Sequence, residues 1–166
     1  MRLFQETAWR WWWLVLLLLV VDQVTKQLVH QQMSLGQSID LLPFFNLTYV
    51  RNYGAAFSFL SDAGGWQRWF FTLLAIVMSV IISIWMSRAP AGNLKLGLAL
   101  SLILAGAIGN LIDRSIFGYV IDFFHLYYQN WHYPVFNIAD SVICIGAALL
   151  IWESFTNETG ASNERQ

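Results

Sequence analysis

The stretch 106-GAIGNLIDR-114, followed by 120-VIDFF-124 and 136-FNIAD-140, decides how this chain must be arranged. It places aspartates, an arginine and asparagines in a sequence that is otherwise mostly apolar, and in hydrocarbon such groups are costly and usually functional. On a helix Gly106, Gly109, Asn110 and Asp113 fall at i, i+3, i+4 and i+7, which is one stripe, with Arg114 one turn beyond Asn110. The glycines let a neighbouring helix come close. Small residues with one Asn would suffice for packing, whereas an added Asp and Arg at the same helix end ask for more.

Working outward, hydrophobic residues make up 57% of the 166 and charged residues only 11%, against about 25% charged in soluble chains. The chain reads as an all-α membrane protein. Four apolar runs, at about 9–29, 68–87, 95–115 and 137–155, approach the roughly 20 residues that cross a bilayer core. They define a single integral membrane domain over 1–156, and the hydrophilic segment 157–166 is expected to be a disordered cytoplasmic tail. Arg2 and Arg10 before an apolar run resemble a secretory leader, but no small-x-small site follows, so the run is read as a retained span.

Orientation follows from loop lysines and arginines. The termini and the short loop carry Arg2, Arg10, Arg88, Lys95 and Arg165, and the opposite side Lys26, Arg51, Arg68 and Arg114. With Lys26 and Arg114 counted as site residues the balance is five against two, favouring cytoplasmic termini. The connection 30–67 is too long for a turn, and its FNLTYV alternates Phe45, Leu47 and Tyr49 with Asn46, Thr48 and Val50, the period of a half-buried strand. A small β-rich extracytoplasmic segment lying on the membrane surface accounts for it. Asn52 stands at a turn and Gly54 permits close backbone approach, for packing of the loop or for substrate. The connection 116–136 is dense in aromatic residues, which belong at the headgroup level.

A net charge of −1 without a basic cluster argues against nucleic-acid binding. The lone Cys144 builds no disulfide or CxxC pair and reads as a small apolar side chain. His30, His125 and His132 lack close metal-ligand spacing and read as interfacial residues. No serine stands in a recognisable triad with them.

Asp22 and Lys26, four residues apart, share a helix face and can pair, either as site support or only to fix helix depth. Asn137 is an N-cap candidate for the last span, and Asp140 falls in its first turn, where the helix dipole favours the charged form. Ser141 adds a hydroxyl or bonds the backbone. Asp140 is on this ground either a helix-end acid or a reactive one. Asp122, between Ile121 and two phenylalanines, has little water and needs a partner. Two close carboxylates share one proton, so the ionised member can take a proton from water while the protonated member bonds a scissile carbonyl. Asp140 is the expected ionised member and Asp122 the protonated one. Asp113 is assigned to support, pairing with Arg114 or a neighbouring backbone group.

These motifs, DxxxK at Asp22 and Lys26, NxGAAF over 52–57, GxxGNxxDR over 106–114, VxDF over 120–123 and FNxAD over 136–140, together resemble those of bacterial lipoprotein signal peptidases, signal peptidase II. They occur in order across nearly the whole chain, and their joint occurrence is specific. The resemblance implies an inner-membrane aspartic endopeptidase that cuts prolipoproteins just before a diacylglyceryl-modified cysteine. It implies Asp122 and Asp140 as the dyad, surrounded by Asn110, Arg114 and Asn137, with Ala139 inside the last motif. Asn52 and Gly54 would help hold substrate, and Asp22 with Lys26 would support the site. It also implies no metal or cofactor and, as partners, the prolipoprotein and membrane lipids, with the chain acting as a monomer. The rival reading is a small proton-coupled transporter built on the same buried Asp, Arg and Lys residues, although no internal repeat is visible.

Overall fold

A computed structural model describes residues 7–54 and 65–163, with side chains to residue 155. Ala55, Ala56 and Phe57 of the NxGAAF motif lie outside the described residues. A 3-10 turn, Ala8–Trp11, leads into α1 (Trp12–Gln32), followed by β1 (Ser38–Leu42), β2 (Phe45–Asn52), α2 (Trp66–Arg88), α3 (Leu94–Ile116), β3 (Val120–Tyr128), β4 (Trp131–His132) and α4 (Ile138–Asn163). Among the described residues four helices are long and apolar enough to cross a membrane, and their bounds fall within a few residues of those read from hydropathy. The last helix continues to Asn163, so the backbone of 157–163 is helical where a disordered tail was expected. Extending a helix already nucleated costs far less than starting one.

The bundle is built around α3. Of its apolar window 67% is buried, against 17% for α2, which turns Trp69, Leu73 and Val80 outward as a lipid-facing scaffold. The reason is in the sequence: Gly97, Ala99, Ser101, Ala105, Gly106, Ala107 and Gly109 are all small and buried, so other helices reach the α3 backbone. A Cβ at Gly109 would lie 2.6 Å from Asp22 Oδ2, and one at Gly146 of α4 would lie 2.8 Å from the Ala99 carbonyl. At its start α3 is capped by Asn93, whose side chain accepts the Leu96 N–H at 3.0 Å.

Both long connections contribute to one antiparallel sheet, ordered β1-β2-β3-β4, at the end of the bundle where α3 ends and α4 begins. Its inner face packs Tyr49, Ile121 and Phe123 with Val29 and Met33 from the end of α1. The segment 120–128, assigned from sequence only to the headgroup level, is thus a strand. Its first four residues are buried on both faces, which erases the alternation that marks a half-buried strand. A register shift between Leu47 and Val50 sets Val50 opposite Asp122 and Asn52 opposite Val120, so Asn52 and Asp122 share a face as diagonal neighbours.

Candidate active site

Every expected site residue on α1, α3, β3 and α4 meets at the junction of the sheet with the bundle. Asp122 is fully buried and Asp140 is 5% exposed. Asp122 arrives on β3. Asp140 arrives at the third position of α4, where it closes a reciprocal cap with Asn137: Asn137 Oδ1 accepts the Asp140 N–H at 2.8 Å, and Asp140 Oδ2 receives the Asn137 N–H at 3.4 Å. Ser141 spends its hydroxyl on the Asn137 carbonyl.

Asparagine side chains hold the carboxylates, and each is oriented by a donor that cannot be reversed. Asn52 Oδ1 accepts the Gly54 N–H at 2.9 Å, so its amide nitrogen faces Asp122 Oδ2, also at 2.9 Å. Asn137 Oδ1 is taken by the Asp140 N–H, leaving its nitrogen 2.7 Å from Asp122 Oδ1. Asn110 Oδ1 accepts Lys26 Nζ at 2.9 Å, which turns its nitrogen toward Asp140 Oδ1 at 2.8 Å. An ammonium has only donors and a backbone N–H cannot flip, so the amide directions follow from the network. Among the described residues Asp140 Oδ2 is the most lightly bonded of the four carboxylate oxygens. Burial, then the nearby Asp140 charge, pushes the Asp122 carboxyl up to about 8, even though Asn52 and Asn137 oppose the shift.

Behind this pair lies a cluster of a different kind. Lys26 is fully buried and pairs with Asp22 Oδ2 at 2.9 Å and Asp113 Oδ2 at 3.1 Å. Asp22 Oδ1 also accepts the Ala139 N–H at 2.9 Å, satisfying one of the open amides at the start of α4. Asp113 Oδ2 accepts the Ile121 N–H at 3.1 Å, which pins β3 directly beside Asp122. The backbone partner expected for Asp113 is therefore present, but its ion pair is with Lys26 and not with Arg114. Consecutive helix residues point about 100° apart, so Asp113 faces α1 while Arg114 faces away.

Arg114 bonds the Gly54 carbonyl through Nη2 at 2.6 Å and the Asn110 carbonyl through Nη1 at 3.4 Å. It lies over the Phe71 ring at 5.6 Å. Its Nε is buried without a partner among the described residues. With Asn110 and Asp140 it forms the polar end of a cavity of about 290 Å³, whose walls include Leu74, Met78, Ile103 and Ile143. Gln23 was not singled out from sequence. Its Nε2 lies 3.2 Å from Asp22 Oδ2, 3.1 Å from the Gly109 carbonyl and 3.0 Å from Asp113 Oδ1. Its partners lie on another helix, and among Thr25, Lys26 and Gln27 at the same end of α1 nothing in the sequence sets it apart. Cys144 is exposed on the bundle surface, as its apolar context suggested.

Fold and site together define a multi-pass membrane protein with carboxylates gathered at one end of a helix bundle. Residues 14–156 match the family model described as Signal peptidase (SPase) II. The chain is 58% identical over 158 residues to a lipoprotein signal peptidase of Pseudoalteromonas translucida, covering 95% of each. It is 53% identical over 161 residues to one of Shewanella loihica, covering 97% of this chain and 95% of that one. A solved bacterial membrane enzyme superposes with a TM-score of 0.80 at 35% identity, over 88% of this chain and 87% of the other. The chain belongs to the signal peptidase II family, a family of peptidases, and this favours the peptidase reading over the transporter.

Proposed function

We propose that this protein removes signal peptides from prolipoproteins, cutting before a diacylglyceryl-modified cysteine, with Asp122 and Asp140 as an aspartic dyad. The observation that carries the reading is the unequal dressing of the carboxylates. Asp122 has amide donors on both oxygens and a carboxyl raised to about 8, so it holds its proton at neutral pH. Asp140 has one firm donor on Oδ1 and a nearly open Oδ2.

Asp140 Oδ2 takes a proton from water as the water oxygen attacks the scissile carbonyl carbon. The Asp122 proton is shared with the carbonyl oxygen as charge develops there. Collapse of the tetrahedral intermediate breaks the C–N bond, and the proton held by Asp140 passes to the leaving amine. Arg114, whose Nε has no partner among the described residues and which lines the cavity, is suited to a substrate carbonyl or the developing oxyanion. Asn52 and Gly54 fix the rim of the substrate path, and Ala139 presents its N–H to Asp22 to hold the start of α4.

The apolar walls of the cavity suit a lipid-modified peptide arriving sideways from the bilayer. The lysine and arginine balance supports cytoplasmic termini in the inner membrane, a site at the outer face and the sheet on the outer membrane surface. The dyad is complete within one chain, which fits a monomer. The test is cleavage of a diacylglyceryl-modified prolipoprotein, and of its unlipidated form, by wild type, Asp122→Asn and Asp140→Asn. Full activity in either variant sinks the dyad, and equal cleavage of the unlipidated form sinks the lipid requirement.

A further inference from the structure

Three residues beyond Asp122 on β3, and on the opposite face of that strand, His125 is brought together with His132 of β4 by the pairing of Tyr127 with His132. His125 Nε2 lies 3.1 Å from His132 Nδ1. Two imidazole nitrogens about 2.0–2.1 Å from one ion, at angles of about 90–109°, are separated by about 2.9–3.4 Å. The pair therefore already has the spacing of two ligands on one metal. Of the two remaining ring nitrogens, His125 Nδ1 lies 3.1 Å from Thr48 Oγ1, which is itself 2.9 Å from Ser38 Oγ. A hydrogen bond of that kind holds a ligating imidazole in the tautomer that leaves Nε2 free for a metal.

A separate observation points to the same place. Asn46 stands directly opposite His125 in the β2–β3 register, and its Oδ1 is buried with no partner among the described residues. An orphaned buried oxygen is unusual in a folded protein, and beside two imidazoles it is a third donor or an acceptor for a metal-bound water. No cluster of three His, Cys, Asp or Glu exists among the described residues, so the other positions fall to this amide and to solvent.

We propose that His125 and His132, with Asn46 beside them, form a binding site for a divalent first-row metal of the imidazole-preferring kind, Zn²⁺, Cu²⁺ or Ni²⁺, bridging β3 to β4. The occupied site ties the far end of the strand that carries Asp122 to its hairpin partner, so its effect is on sheet stability and not on the chemical step.

The test uses the full chain, free of any polyhistidine tag, in detergent or nanodiscs. Zn²⁺ is titrated by calorimetry and by thermal shift, in wild type and in His132→Ala, which removes an exposed side chain and leaves basal cleavage unchanged. Saturable one-to-one binding and a rise in Tm in the wild type are expected, weakened at least tenfold in His132→Ala. Cu²⁺ electron paramagnetic resonance is expected to show coupling to two nitrogens in the wild type and one in the variant. Absence of saturable binding in the wild type, or equal affinity and the same nitrogen coupling in His132→Ala, overturns the proposal.

Discussion

Two pairs of aspartates occupy the same end of the bundle and differ in what stands between them. Between Asp22 and Asp113 is the Lys26 ammonium, bonded to both. Between Asp122 and Asp140 is Asn137, which gives a side-chain N–H to one and a backbone N–H to the other but no charge. A cation bonded to two acids ties them into the framework of the bundle. A neutral amide leaves them to share a proton, which suits them to chemistry. The two clusters are joined through Asn110, whose oxygen faces Lys26 and whose nitrogen faces Asp140. The ion cluster thus dictates which face of the amide the proposed dyad meets.

The comparison breaks most visibly by neutralising one acid from each pair. Asp122→Asn or Asp140→Asn should lower prolipoprotein cleavage at least ~10⁴-fold, about 5.5 kcal/mol, without lowering Tm. Asp122 carries a carboxyl raised to about 8, so the native state binds its proton more tightly than the unfolded chain does. Its contribution to stability is full at low pH and falls as pH rises toward and through about 8. Asp122→Asn should remove that slope and be relatively most stable in alkaline buffer. Asp113→Asn should instead lose Tm. Equal Tm loss in all the variants would remove the distinction between the pairs.

Next in size is the cation itself. Lys26→Met leaves two carboxylates facing each other in a dry site, and breaking a buried ion pair costs about 3–5 kcal/mol. The loss is read as Tm in detergent. Recovery of part of it by adding Asp22→Leu and Asp113→Leu would show that uncompensated charge, and not lost volume, is responsible.

A smaller effect is expected at Gly109, where α1 and α3 touch. Gly109→Ala puts a methyl against Asp22 Oδ2, and forcing that contact should cost about 1–3 kcal/mol. If Tm and cleavage are unchanged, the close approach is not what aligns Asp22 with Lys26.

How much of this was legible in the sequence follows the periodicity of each segment. The spans were readable because hydropathy over a window of membrane length leaves few alternatives. The stripe of Gly106, Gly109, Asn110 and Asp113 was readable because a helix repeats at a known angle. β3 was not, since a strand buried on both faces looks like any apolar run. The partner of Asp113 was not either: sequence offers Arg114 as the adjacent cation, while helix geometry turns it away and brings Lys26 from another helix. Gln23 and the His125–His132 pair depend on cross-element register, which no local pattern encodes.

The last prediction separates structure from chemistry inside a single residue. Asn137 caps α4 through its oxygen and donates to Asp122 through its nitrogen. Asn137→Ser keeps an N-cap oxygen, and Ser ranks with Asn at that position, so Tm should change by no more than a few tenths of a kcal/mol in stability. The variant lacks the amide donor, whose bond to Asp122 opposes the upward push of burial and Asp140. Its removal should carry the Asp122 carboxyl further up, so that the fall of cleavage rate at alkaline pH moves to higher pH than in wild type. A hydrogen bond to a carboxylate is worth about 1.5–3 kcal/mol, which sets the displacement at about one to two pH units. The rate at neutral pH should drop about tenfold, because the carboxyl proposed to bond the scissile carbonyl loses its anchor. An unmoved alkaline limb with a reduced rate would mean that Asn137 positions Asp122 without tuning its proton, and a lower Tm would mean that the cap, and not the donor, was lost.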